Sequence, residues 1–138
     1  MTEHDVAPIL IVEDGPEVRQ SLEWMLTIDG YRVVTAINGA DALKKLQAGF
    51  RPCIILLDLH MPEMDGFEFR QRQLQDPDLA SIPVVVYSGV SDAKAAAARL
   101  NAVAHLQKPL DLDQLLQVVE THCRKSGKAD PPPLKRTG

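Results

Sequence analysis

Residues 53–58 of this 138-residue chain, CIILLD, form a continuous apolar run that ends in an acidic residue, Asp58. A run that is apolar at every position is typical of a strand covered on both faces, as in a parallel sheet. Three further runs also lead into polar or turn residues: residues 9–14 (ILIVED), 84–89 (VVVYSG) and 103–109 (VAHLQKP), the last of which is interrupted by His105 and Gln107. Because each run ends in polar residues, the four predict parallel strands whose polar ends meet at one edge of a sheet.

Segments with helical spacing lie between these runs, and residues 31–37 predict a fifth strand. The predicted helices run from Pro16 to about Asp29, from Asn38-Gly39 through Leu46, from Asp65 to about Gln75, from Asp92 to Asn101, and from Leu112 through Val119. The third carries Phe67 and Leu74 on one side. The fourth, with Ser91 placed to cap it, is rich in alanine and is expected to pack loosely.

Five strands alternating with five helices predict an α/β fold, a doubly wound (βα)5 parallel sheet with helices on both faces and ligands at the carboxyl ends of the strands. The chain is long enough for one domain. We place that domain at residues 7–125. Residues 126–138, which contain three consecutive prolines, predict a disordered tail.

Composition excludes several function classes. The chain is 45% hydrophobic and 25% charged, as globular proteins are, and its formal charge of −4 and pI near 5.5 argue against nucleic-acid binding. No secretory signal or membrane-length apolar stretch is visible. Two cysteines, Cys53 and Cys123, form no disulfide framework, so we expect unpaired thiols in a reducing compartment and a soluble, cytoplasmic domain.

The residues at the strand ends suit phosphoryl chemistry. Glu13, Asp14 and Asp58 would form a cluster of three carboxylates, which repel one another unless a cation lies among them. A cluster of oxygen ligands favours a hard cation such as Mg²⁺. Lys108 adds a positive charge and Ser88 a hydroxyl, both able to interact with phosphoryl oxygens. Asp58 would then be the nucleophile that forms an aspartyl phosphate.

Four stretches in this order, ILIVEDGPEVR, LLDLHMPEMDG, VVVYSG and HLQKPLDLDQL, give the chain a close resemblance to the receiver domain of bacterial two-component response regulators. The resemblance covers about residues 7–125, and the block around Asp58 is its most specific part. It implies a flavodoxin-like fold with strand order 2-1-3-4-5. This order is the one found in a chemotaxis regulator of the same family, and it is taken here from the resemblance.

The resemblance also implies residue roles. Asp58 accepts the phosphoryl group from a phosphohistidine on a histidine kinase or histidine phosphotransfer protein. Glu13, Asp14, Asp58 and the backbone carbonyl of His60 hold Mg²⁺. Lys108 pairs with the phosphoryl oxygens, and its bond to Pro109 is cis. Ser88 binds a phosphoryl oxygen and draws the following loop inward, which resets the face made by the fourth helix, fifth strand and fifth helix.

Two histidines depart from the commonest family pattern. His105 stands three residues before Lys108, where the family usually has an aromatic switch residue, so it is either a switch residue or a half-buried polar residue. His60, two residues after Asp58, either contacts the phosphoryl group or an attacking water, or faces solvent.

Other interpretations are weaker. A degenerate receiver that only binds partners would lack acceptor residues, yet all are present. A haloacid dehalogenase-like phosphatase needs a second aspartate where His60 stands. A flavodoxin-like nucleotide binder needs a phosphate loop after the first strand, and a hydrolase using Ser88, His60 and Asp58 lacks the Gly-x-Ser-x-Gly turn.

The expected output is a switch between conformations that a downstream protein distinguishes, with a phosphorylation-dependent dimer as one form. We expect slow autodephosphorylation and no turnover of a separate substrate, and no direct contact with nucleic acid or membrane. The chain is either a stand-alone receiver or a piece of a larger regulator or hybrid kinase, and its start at Met1 favours the first.

Overall fold

The computed structural model describes residues 6–89 and 93–125. Strands and helices alternate along the chain in the predicted order. The strands are β1 (Ile9–Val12), β2 (Val33–Ala36), β3 (Ile54–Asp58), β4 (Val84–Ser88) and β5 (Ala104–Gln107). The helices are α1 (Pro16–Ile28), α2 (Gly39–Gln47), α3 (Gly66–Gln75), α4 (Ala93–Arg99) and α5 (Leu112–His122).

The five strands form one parallel sheet with the order β2-β1-β3-β4-β5, which confirms the predicted fold class. After β2 the chain crosses back over β1 to form β3, so the direction of strand addition reverses between β1 and β3. In a sheet of this kind, the loops after β1 and β3 border a crevice at the carboxyl edge. Asp58 is the last residue of β3 and lies opposite Tyr87 of β4.

Apolar side chains cover both faces of the sheet, as the continuous runs predict. On one face, Ile9 and Ile11 of β1 pack in a cluster with residues of α1 and α5. On the other face, Leu10 and Val12 pack with residues of α2 and α3. Since successive residues of β1 serve opposite faces, neither face of the central strands is free for a ligand. The binding chemistry is therefore confined to the edge of the sheet.

Local sequence signals account for several helix starts. Pro16 is the first residue of α1, where its missing amide hydrogen costs nothing. The side chains of Asn38, Asp65 and Asp111 accept hydrogen bonds from backbone amides in the first turns of α2, α3 and α5. Ser91, the predicted cap of the fourth helix, lies outside the described residues, as does the predicted tail.

The predicted apolar side of α3 is wrong. Leu74 is 44% exposed, and Phe67 is only partly buried. The buried face instead carries Phe69 together with two polar side chains, Arg70 and Gln73. These two can be buried because each makes several hydrogen bonds there, so the face does not follow apolar spacing alone.

The prediction of two unpaired cysteines is also wrong. Cys53, which immediately precedes β3, forms a disulfide with Cys123 at the end of α5. Their Cα atoms lie 5.4 Å apart, within the ordinary range for a disulfide. Because the bond depends on oxidising conditions, the cysteines no longer support the predicted reducing compartment.

The C-terminal end of α5 has a further attachment. Lys125 forms an ion pair with Asp29, at 3.3 Å, and lies over the ring of Tyr31. The end of α5 is thus fixed to the loop between α1 and β2, on the edge of the sheet away from Asp58. Within the described ranges, none of the helices has the length and apolar character needed to span a membrane.

Candidate functional site

The loop after β1 carries two of the three acidic residues. The backbone amide of Glu13 donates to the carbonyl of Ala36, which continues the pairing with β2 for one residue. Arg19 of α1 then donates to the backbone carbonyls of Glu13 and Asp14, at 3.0 and 3.2 Å. These bonds hold the loop bent toward the carboxyl edge of the sheet. The Glu13 side chain is consequently buried and that of Asp14 exposed.

Asp58 is buried at the end of β3. The backbone amide of His60 lies 3.4 Å from Asp58 Oδ1, a long hydrogen bond that orients the carboxylate. The loop that follows folds back so tightly that a Cβ at Gly66 would lie 2.7 Å from the carbonyl oxygen of Asp58. Only glycine fits there, which explains why the MPEMDG segment ends in this residue.

Lys108 lies between the two buried carboxylates. Its Nζ is 3.5 Å from Asp58 Oδ1 and 3.8 Å from Glu13 Oε1. The same ammonium lies 4.6 Å from the centre of the Tyr87 ring, close enough for a cation–π contact. Its backbone amide donates to the carbonyl of Ser88, and its bond to Pro109 is cis, as the resemblance implied.

Glu13, Asp14 and Asp58 each place a carboxylate oxygen within 4.8 Å of the other two. Burial raises the pKa of the Glu13 carboxyl above its ordinary value; the Gly15 amide opposes this effect, the Asp58 charge adds to it and the Lys108 charge opposes it. Burial, followed by the charges of Glu13 and Asp58, also raises the pKa of the Tyr87 phenol. One ammonium therefore does not balance the negative charge of the cluster.

Glu13 provides a direct test of whether the cluster fits a cation. Its Oε2 accepts a hydrogen bond from the Gly15 amide, whereas its buried Oε1 accepts none from the part of the chain that the structure describes. A buried carboxylate oxygen without a hydrogen bond is costly unless a cation pairs with it. The Lys108 ammonium lies 3.8 Å from this oxygen and is shared with Asp58, so it compensates the Glu13 charge only in part. The cluster, built from oxygen ligands and open to solvent at Asp14, therefore fits a hard divalent cation.

The remaining predicted site residues differ in exposure. Ser88 is buried as the last residue of β4, the strand adjacent to β3. The side chain of His60 is exposed, two residues beyond Asp58. His105 is exposed on β5, so it is not the half-buried residue considered above. It borders a shallow cleft with Gln107, Gln114 and Val118.

Sequence reasoning missed two residues that shape this site. Arg19 fixes the acidic loop through backbone carbonyls, a contact with no sequence signature beyond an arginine early in the helix. Tyr87 supports the Lys108 ammonium from the adjacent strand. Its place immediately before Ser88 was a usable signal, because residues at this end of neighbouring strands lie side by side.

The family model for the response regulator receiver domain matches residues 9–120. This chain belongs to that family. The match includes the strand ends that carry Glu13, Asp14, Asp58, Ser88 and Lys108. Receiver domains are signalling modules, so the family places this chain in response-regulator signalling.

Relatives of the receiver differ in length. The chain is 34% identical over 127 residues to the transcriptional regulatory protein GlrR of Escherichia coli, covering 91% of this chain but 28% of that protein. It thus spans little more than a quarter of GlrR. It is 32% identical to PilH of Pseudomonas aeruginosa, covering 83% of this chain and 95% of PilH.

Solved receiver structures have the same fold. The Vibrio cholerae chemotaxis protein CheY4 is similar with a TM-score of 0.75 and 29% identity, covering 85% of this chain and 98% of CheY4. The Thermotoga maritima response regulator TrrA, solved in complex with Mg²⁺-BeF, has a TM-score of 0.74 and 27% identity, covering 83% of this chain and 97% of TrrA.

Proposed function

We propose that this receiver accepts a phosphoryl group on Asp58 from a phosphohistidine of a histidine kinase or histidine phosphotransfer protein. The observation that carries the proposal is the pairing of buried Asp58 with Lys108, at 3.5 Å, next to Glu13 Oε1, a buried oxygen that accepts no hydrogen bond from the described residues. Asp58 is held by the His60 amide and lies at the carboxyl edge of the sheet, where a donor can approach.

The transfer makes one bond and breaks one. An oxygen of ionised Asp58 attacks phosphorus, the bond from phosphorus to the donor imidazole nitrogen breaks, and that nitrogen takes up a proton. Lys108 lies where its ammonium can follow the charge from the carboxylate to the phosphoryl oxygens. The Tyr87 ring beneath the ammonium restricts it to this region.

Glu13, Asp14, Asp58 and the backbone carbonyl of His60 would hold Mg²⁺, which supplies positive charge beside the phosphoryl oxygens. The Mg²⁺-BeF complex of TrrA supports this choice of cation. Arg19 has a supporting role, because it keeps Glu13 and Asp14 turned toward Asp58 through their backbone carbonyls.

The output would be a population shift that a downstream protein recognises, through the face formed by α4, β5 and α5 or through a dimer made by that face. Ser88 is the residue placed to sense the phosphoryl group, since it is buried at the end of the strand next to Asp58. His105 lies exposed on the same face and would act there as a contact residue. Slow loss of the phosphoryl group would reset the domain without turnover of a separate substrate.

Incubation with phosphoramidate and Mg²⁺ tests the proposal. We expect intact-mass analysis to find one added phosphoryl group per chain, and labelling to be at least about tenfold slower in EDTA, because the acidic cluster then repels the anionic donor. Equal labelling rates with Mg²⁺ and with EDTA would contradict the metal assignment. No labelling under either condition would favour a degenerate receiver.

Replacing Lys108 with alanine should uncouple phosphorylation of Asp58 from the conformational change that follows it. The acidic ligands remain, so Mg²⁺ should still raise the melting temperature, but phosphorylation should no longer change amide hydrogen exchange in β5. Lys44→Ala removes an exposed lysine of α2 and serves as the control. An exchange change in Lys108→Ala as large as in the parent would refute the coupling role.

A further inference from the structure

The buried face of α3 contains a polar pair that the proposed chemistry does not use. Arg70 is 4% exposed and Gln73 is fully buried. Burial lowers the pKa of the Arg70 guanidinium, which still remains charged near neutral pH. In the described residues, no carboxylate forms an ion pair with Arg70. A buried charge without a carboxylate partner requires another source of negative potential.

That source is the C-terminal end of α4. Arg70 Nε donates to the carbonyl of Leu100 at 2.9 Å, and Nη2 donates to the carbonyl of Asn101 at 3.0 Å. Helix C-termini carry partial negative charge on carbonyls that lack partners within the helix. Arg70 therefore caps the end of α4 from a different helix.

The chain turns sharply where Arg70 holds it. Asn101 has a φ of 55°, and the Ala102 amide donates back to the carbonyl of Ala97. The Val103 amide then donates to the carbonyl of Val84 at the start of β4. The Arg70 contacts thus lie at the junction between α4 and β5.

Gln73 extends the attachment to the rest of the domain. Its Oε1 accepts a hydrogen bond from Arg70 Nη1 at 2.8 Å, and its Nε2 donates to the carbonyls of Leu79 and Ile82. These carbonyls belong to the segment between α3 and β4. The end of α4 is consequently fixed to the same segment that leads into β4.

Apolar packing of α4 uses small side chains. Its buried residues are alanines, Ala93, Ala96 and Ala97, which bury little surface each, and beyond its C-terminal end Leu100 and Ala102 pack against this cluster only partly buried. An open cleft of about 660 Å³ lies between α3 and the end of α4. The exposed Arg99 reaches across this cleft, and its guanidinium carbon lies 5.2 Å from the centre of the Phe67 ring. The hydrogen bonds from Arg70 therefore add directional contacts to this limited apolar packing at the C-terminal end of α4.

We propose that Arg70 is a positioning residue that fixes the C-terminal end of α4, so that phosphorylation of Asp58 moves the N-terminal end of the helix about this fixed point. The inference rests on the proposed function, since it concerns the response to phosphorylation. The N-terminal end of α4 follows Ser88 by a few residues, whereas the C-terminal end is bound through Arg70 and Gln73.

Amide hydrogen exchange of the full chain tests both parts. In the unphosphorylated protein, Arg70→Met should accelerate exchange of the Leu100 and Ala102 amides at least about tenfold, because two carbonyls lose a charged donor. Arg99→Met, which removes an exposed arginine of the same helix end, should change these rates less than about twofold. Arg70→Lys keeps a cation without the forked donors and should restore part of the protection.

In the parent treated with phosphoramidate and Mg²⁺, the exchange rates of amides near Ala93 and Ala96 should change, whereas those of Leu100 and Ala102 should stay the same. In Arg70→Met the change should extend to Leu100 and Ala102, with Asp58 labelled to the same extent. Two results would overturn the proposal that the C-terminal end of α4 stays fixed. One is an equal change in exchange rate at both ends of α4 in the parent, and the other is the same set of exchange changes in the parent and in Arg70→Met.

The two proposals fail differently. A parent that takes up no phosphoryl group contradicts the proposed function, while the comparison of unphosphorylated proteins still decides whether Arg70 holds the end of α4. If Arg70→Met does not fold, the exchange rates of Arg70→Lys and Arg99→Met can be compared instead to decide whether Arg70 holds the end of α4. Equal protection of Leu100 and Ala102 in those two variants and the parent would refute the attachment.

Discussion

Replacing Asp58 with asparagine is expected to reduce labelling by phosphoramidate from one phosphoryl group per chain to none. The amide oxygen of asparagine is too weak a nucleophile to form the bond to phosphorus that a carboxylate forms. Glu13 and Asp14 remain in this variant, but neither lies at the end of β3 under Lys108 and the His60 amide as Asp58 does. Intact-mass analysis measures the loss.

The control for this variant is Asp78→Asn, which makes the same chemical change at an exposed position between α3 and β4. It should label like the parent. Asp58→Asn removes one of three mutually repelling carboxylates, so its free energy of unfolding without metal should not decrease. Equal labelling of Asp58→Asn and the parent would contradict the assignment of the acceptor.

The fold was predictable because it depends on the order of apolar runs and polar residues along the chain. Continuous apolar runs mark buried parallel strands, and in such a sheet the residues following each run must lie at one edge. This reasoning brought Glu13, Asp14, Asp58 and Lys108 together correctly, since backbone topology alone determines their proximity. Their roles in phosphoryl transfer stay predictions that the labelling experiments address.

What the sequence did not predict depends on individual side chains. Arg70 and Gln73 look like surface residues by type, and only the carbonyls around them make their burial possible. Arg19 likewise acts through backbone oxygens, which no residue pattern encodes. Contacts of this kind depend on where a helix or strand ends, and a sequence pattern does not place these boundaries to the residue.

The disulfide was missed for a related reason. Cys53 and Cys123 are separated by 70 residues, and their proximity depends on α5 returning along the sheet to the amino end of β3. Two cysteines in an acidic, globular sequence with no visible secretory signal favoured free thiols. Only the three-dimensional path of α5 makes the pairing possible.

Reduction of this bond should lower the free energy of unfolding by about 4 kcal/mol, because the bond closes a long loop and removes entropy from the unfolded chain. A loss of this size is a large fraction of the stability of a small domain. Denaturant unfolding of the parent with and without a reducing agent measures it. The Cys53→Ala, Cys123→Ala double variant should be insensitive to the reducing agent.

A second control separates the covalent bond from the contacts beside it. Lys125→Ala removes the ion pair with Asp29, an exposed contact expected to contribute less than about 1 kcal/mol. Phosphorylation should persist in the reduced protein, because Cys53 immediately precedes β3 and Asp58 ends it, about 16 Å away along the strand. A reducing agent that leaves the parent's unfolding midpoint unchanged would show that the bond does not form in solution, and α5 would then be held by noncovalent contacts, among them those of Leu115, Val119 and the Lys125 ion pair.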